Sequence, residues 1–132
     1  MPLSTLIGRT EKRSANLAKS QIFNIDNGAG ATIDETIIRP DRPFRLIAAR
    51  IVYDTETAGT VAAANMRLGV AVAGATVVAS TAYANSSVVG ATTAMALLIS
   101  EHAANTPIIC RHTGIAATAA GQAHLELEWA YL

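Results

Sequence analysis

The C-terminal stretch HLELEWAYL constrains this chain most, because apolar and polar residues alternate along it almost without a break. Side chains on a β-strand point to opposite faces in turn, so Leu125, Leu127, Trp129 and Tyr131 fall on one face and His124, Glu126, Glu128 and Ala130 on the other. A helix, with its period of 3.6, would scatter the same residues around its circumference. The apolar face is expected to lie in a core, with Trp129, the largest apolar side chain of the sequence, as its anchor.

The same period recurs upstream. In FRLIAARIVYD the residues Ile47, Ala49, Ile51 and Tyr53 share a face, and in MRLGVAVAG so do Met66, Leu68, Val70 and Val72. Further strands are expected at SQIFNI (20–25), ATIDETII (31–38), ATVVAS (75–80), TAMALLI (93–99) and TPIICRHT (106–113), about eight in all. The Asn27-Gly28 pair is a strong signal for a tight turn, which predicts that the first two of these strands pair as a hairpin. Pro40 and Pro43 lack the ladder donor, so RPDRPF is read as a loop or an edge. Short helical turns at TAGTVAAAN (57–65) and EHAAN (101–105) are the alternative that alanine's helix preference leaves open. No repeat of fixed period emerges. The expected fold is all-β, an antiparallel β-sandwich with jelly-roll-like topology.

Residues 1–19 break the pattern, with little alternation and with Arg9, Lys12, Arg13 and Lys19 against the single acid Glu11. They read as an N-terminal arm preceding one sandwich domain at 20–132. The domain carries six arginines and nine acids, so an arm near plus three faces a body near minus three although the whole chain is neutral. That asymmetry predicts an arm that docks on something acidic. Alanine and threonine make up roughly a third of the chain and only six residues are aromatic, so each buried side chain contributes little and oligomerisation is expected to supplement a thin core.

The chemistry-bearing residues do not converge on a catalytic pattern. His102, His112 and His124 are ten and twelve apart, which matches no metal-ligand spacing, and strand-face histidines are the expectation. A single cysteine, Cys110, excludes an internal disulfide; flanked by Ile108 and Ile109 it is read as buried and inert rather than as a nucleophile working with His112. Ser86 and Ser87 lack the setting of a strained elbow. Asp34 with Glu35, and Glu126 with Glu128, are the candidate acid–base pairs, the latter read as a solvated face. NGAGAT and GIAATAAGQ contain no phosphate-binding signature. No cofactor and no enzymatic activity are expected. The four arm cations without interleaved aromatics give no nucleic-acid module, and no apolar stretch is long enough for a signal peptide or a membrane helix.

The run IFNIDNGAGATIDETIIRPDRPFRLIAARIVYDTETAGTVAAANMRLGVAVAGATVVASTAY (22–83) and the ending NTPIICRHTGIAATAAGQAHLELEWAYL resemble the capsid decoration, or cement, proteins of tailed phages. The likeness lies in strands rich in alanine, threonine and valine with few lysines, and no functional residue carries over one by one. It implies a β-sandwich that trimerises, binds the major capsid protein at three-fold or quasi-three-fold positions on the outer surface of the virion, and stabilises the head; the lone cysteine separately predicts synthesis in a reducing host cytoplasm. The candidate partner-binding residues are Arg9, Lys12, Arg13 and Lys19 of the arm and Pro40, Asp41, Arg42 and Pro43 of the proline-bracketed loop. A carbohydrate- or receptor-binding module of a phage particle is the alternative.

Overall fold

The computed structural model describes residues 15–28, 30–58, 64–115 and 120–132. They form ten antiparallel strands and no helix: β1 (Asn16–Lys19), β2 (Phe23–Asn24), β3 (Thr32–Ile38), β4 (Phe44–Tyr53), β5 (Asn65–Gly69), β6 (Val78–Ala82), β7 (Thr92–Met95), β8 (Glu101–His102), β9 (Ile108–Thr113) and β10 (Gln122–Tyr131). One sheet runs β1-β10-β4-β7, with β2 also on β10 and β8 also on β4; the other runs β3-β9-β5-β6.

The pieces β1 and β2 lie along the same edge of β10, as β7 and β8 lie along the same edge of β4. Counted so, there are eight strand positions, in the orders 1-8-3-6 and 2-7-4-5. This is the jelly-roll order, in which the chain keeps crossing between sheets, and among the sheet neighbours only β5 and β6 are consecutive.

The expected hairpin over Asp26–Gly30 does not form: β2 joins β10 in one sheet and β3 joins β9 in the other, so this turn is a crossover. The turn's own amides are satisfied by a different segment. Gly28 N donates to Ile115 O and Gly30 N to Gly114 O, while any Cβ at Gly114 would overlap the Asn27 side chain. The Asn-Gly pair bends the chain as expected, but tertiary partners choose the strands that follow it.

The core lies between the sheets and is made by Phe23, Ile25, Phe44, Leu46, Ile51, Tyr53, Met66, Leu68, Tyr83, Ile108, Leu125 and Leu127, all essentially inaccessible. In β10 the residues Ala123, Leu125, Leu127, Trp129 and Tyr131 stand opposite Tyr53, Ile51, Ala49, Leu46 and Phe44, but the expected alternation of burial does not hold throughout: His124 and Ala130 of the other face are also buried, and Trp129 and Tyr131 only partly so. β4 does not alternate evenly. A bulge pairs Glu128 with Ala48 but Trp129 with Leu46, which turns Ile47 outward to 44% exposure and puts Leu46 and Phe44 in the core in its place. Trp129 itself is only partly buried against this core, so the anchoring role expected of it belongs to Tyr53, Tyr83, Phe23 and Phe44.

Two further expectations shift. Val70 and Val72 do not share the buried face of Met66 and Leu68, because β5 ends at Gly69, where the chain folds back so tightly that a Cβ would strike Gly74. At the other boundary, residues 16–19, assigned to the arm, form β1 on the edge of β10. The rest of the arm, residues 1–14, lies outside the described residues, as do residues 59–63 of the alternative helix at 57–65. The EHAAN alternative resolves as β8 followed by a turn.

Candidate partner-binding surface

Two β10 residues carry the sandwich's half-open end. Trp129 and Tyr131 emerge past the bulge with their rings edge-to-face at 5.1 Å, and Trp129 meets Phe44 edge-to-face at 6.2 Å. Phe44 stacks on His102 at 5.3 Å. The β3–β4 crossover folds over this cluster. The Arg42 guanidinium sits 4.0 Å from the centre of the Tyr131 ring, and Tyr131 Oη donates to Asp41 Oδ1 at 3.4 Å. Asn105 N donates to Pro40 O at 2.7 Å, Arg39 Nε to Asn105 O at 3.1 Å, and Leu132 N to Pro43 O at 3.1 Å. These bonds tie the proline-bracketed loop to the β8–β9 connection and to the residue after β10.

Of the expected partner-binding residues, Asp41, Arg42 and Pro43 are exposed here and Pro40 is buried. Asn16, the first residue of β1, stands opposite Trp129, so β1 begins at this same end. Arg9, Lys12 and Arg13 lie outside the described residues. Lys19 lies apart from the loop, on the outer face of the β10 sheet, 3.7 Å from Glu126. Trp129, Tyr131 and Arg39 were missed by reading the sequence. Period-two alternation assigns the two aromatics to the core, and past the bulge they pack against it only in part.

The remaining polar groups are engaged in holding the fold. His112 is fully buried in β9, stacked on Phe23 at 4.9 Å and 8°. Burial pushes the Tyr83 phenol up, keeping it a donor, and pushes the imidazole down. Tyr83 Oη therefore donates to His112 Nδ1 at 2.7 Å and His112 Nε2 donates to Asn24 O at 3.0 Å, a tautomer assigned from its partners. It lies in the other sheet from His124, whose Nδ1 is 2.7 Å from Asp54 and Nε2 3.4 Å from Glu126.

Cys110 faces the core, where burial raises its thiol far above its ordinary value, as its inert reading requires. Asp34 and Glu35 point to opposite faces of β3: Asp34 is held by Arg111 at 2.8 Å, and Glu35 accepts from Gln21 N at 2.9 Å. Glu126 and Glu128 are not simply solvated but clasp Arg50 from two sides, at 3.0 and 3.1 Å. Burial raises the Glu126 carboxyl, yet hydrogen bonds from His124 and Arg50 and the charges of Arg50 and Lys19 overcome it and hold it below the usual range. Among the described residues no three His, Cys, Asp or Glu groups gather as metal ligands.

No protein-family model and no curated protein matches the chain. Among solved structures, it is similar to a chain titled "Cyanophage Pam1 capsid asymmetric unit", with a TM-score of 0.61 over 90% of this chain and 87% of that one, at 10% sequence identity. At that identity the likeness is one of fold, and the fold it establishes is the two-sheet antiparallel β-sandwich described above.

Proposed function

We propose that this chain is a non-enzymatic virion structural protein that binds the outer surface of a phage capsid and stabilises it, as a homotrimer at three-fold or quasi-three-fold positions. The observation that carries the reading is the fold shared with a chain of a phage capsid asymmetric unit. Mutual coverage of 90% and 87% makes the two chains nearly equal in length, so the likeness spans a whole small chain and not a domain inside a large shell-forming subunit.

The half-open end supplies the attachment surface in this reading. Trp, Tyr and Arg side chains are the types most often found at the energetic centres of protein interfaces, and Trp129, Tyr131, Arg39 and Arg42 cluster there beside Asn16, the start of β1. The partner is the major capsid protein, met by this end and by Arg9, Lys12 and Arg13. Purified protein added to heads that lack it should co-sediment with them. Heads that pellet without it overturn the reading.

A glycan- or receptor-binding role draws on the same half-exposed aromatics. Stacking on a sugar needs a free ring face, and one face of Tyr131 is covered by Arg42. Retention on a glycan array with no binding to heads would favour it over the capsid reading.

A further inference from the structure

The outer face of the β3-β9-β5-β6 sheet carries an unbalanced charge. Arg111 projects from β9 between the buried Cys110 and His112, and Arg67 from β5 between the buried Met66 and Leu68, so both guanidiniums stand on the outside. The register sets them directly opposite one another, an arrangement that costs stability when nothing neutralises it.

Among the described residues one carboxylate, Asp34, pairs with either of the two. Asp34, opposite Arg111 on its other side, receives both Nε at 2.8 Å and Nη2 at 2.9 Å from Arg111. Arg67 makes no ion pair among the described residues, and its Nε is buried without a hydrogen bond. On its β6 side the register shifts between Met66↔Thr81 and Leu68↔Val78, leaving the uncharged Ala79 and Ser80 abreast of it. A row Asp34, Arg111, Arg67 lacks a fourth, acidic member.

We propose that the missing member comes from a second copy of this chain, whose carboxylate docks on Arg67 across the outer face of this sheet. The face is suited to close approach: beyond these three charges its described side chains include Thr32, Thr36, Asn65, Ile109 and Thr113, short or β-branched. The second copy has what is needed, since Asp26, Glu56 and Glu101 make no ion pair among the described residues and the body is acidic overall. An arginine that lacks an ion pair among the described residues of its own chain and gains one across an interface gives an association that is specific and salt-sensitive.

The inference rests on the self-association part of the proposed function and is independent of capsid binding. Its test is sedimentation velocity on the full chain and on Arg67→Gln and Arg67→Lys, in about 0.1 M and about 1 M salt, between which the screening length falls from roughly 10 Å to roughly 3 Å. Wild type should associate, and more weakly in high salt. Arg67→Gln should raise the dissociation constant about tenfold or more and flatten its salt dependence, Arg67→Lys less so. At concentrations where all three are monomers, Arg67→Gln should melt no lower than wild type, because it relieves the repulsion from Arg111; a purely structural role would lower it. A monomeric wild type, or an Arg67→Gln that associates like wild type, overturns the proposal. So does Arg67-dependent binding to heads by a chain that does not self-associate, which would give the carboxylate to the capsid instead.

Discussion

The two halves of the β4–β10 pair have the same strand geometry and different fates. From Ala123 to Leu127 the inward residues of β10 meet Tyr53, Ile51 and Ala49, and this half is sealed by the opposite sheet and by the β6–β7 connection. Tyr53 Oη accepts from Ala84 N at 2.8 Å and bonds Thr93 Oγ1 at 2.7 Å; Thr57 Oγ1 donates to Ala84 O and accepts from Ser87 N at 2.6 Å. From Trp129 to Tyr131 the register has slipped by one residue on β4, the two aromatics are only partly buried, and the loop carrying Arg42 and Asp41 lies against Tyr131. Alternation therefore says which residues can share a face. Whether that face is a core or a surface depends on what another part of the chain lays over it.

The largest effect should come from the sealed half. Leu125→Ala removes a fully buried side chain with close-packed neighbours and should cost about 2–5 kcal/mol, read as the shift in a chemical denaturation midpoint. Trp129→Ala should cost less than Leu125→Ala, about 1–2 kcal/mol, since only part of its surface is withdrawn from water. Were the tryptophan substitution the costlier of the two, the half-open end would be a true core and the comparison would fail.

His112→Phe keeps the stack on Phe23 but leaves the buried Tyr83 hydroxyl without its acceptor, an expected loss of about 1–3 kcal/mol at neutral pH. Acid should erase part of that difference. The folded imidazole lies below its unfolded value of about 6.5, so the wild-type contribution is complete above about 6.5 and declines as pH falls from there toward the folded value, where the unfolded chain binds the proton first. Thermal melts of both proteins between neutral and mildly acidic pH should converge, and a constant gap would mean that His112 is not held neutral.

The smallest effect on stability belongs to the open end. Arg42→Ala removes an exposed cation–π contact and should change unfolding by about 0.5–1 kcal/mol, while weakening co-sedimentation with heads by a larger factor than Leu125→Ala does in its folded fraction. Equal head binding by Arg42→Ala and wild type would leave Trp129 and Tyr131 as an unfinished corner of the fold instead of an attachment surface.

Much of this was legible in the chain by itself. Period-two alternation determined the β class and the inward sets Leu125, Leu127 and Ala49, Ile51, Tyr53, because the pleat imposes that period on any strand with one dry face, and the apolar neighbours of Cys110 pointed to its burial. The breakers Asn27-Gly28 and Pro40–Pro43 marked real turns. Their partners were not legible: a turn residue satisfies a local backbone angle, and whether the next strand continues in the same sheet or crosses to the other is settled by contacts far away in sequence, here Gly114 and Ile115. The bulge that turned Ile47 out and brought Leu46 in has no local signature either. Nor has the like-charge pair of Arg67 and Arg111, since residues 44 positions apart become neighbours only when β5 and β9 are laid side by side. Tertiary structure decided these because burial and charge are properties of what lies opposite, and in a fold that changes sheets at nearly every turn, what lies opposite is seldom what comes next.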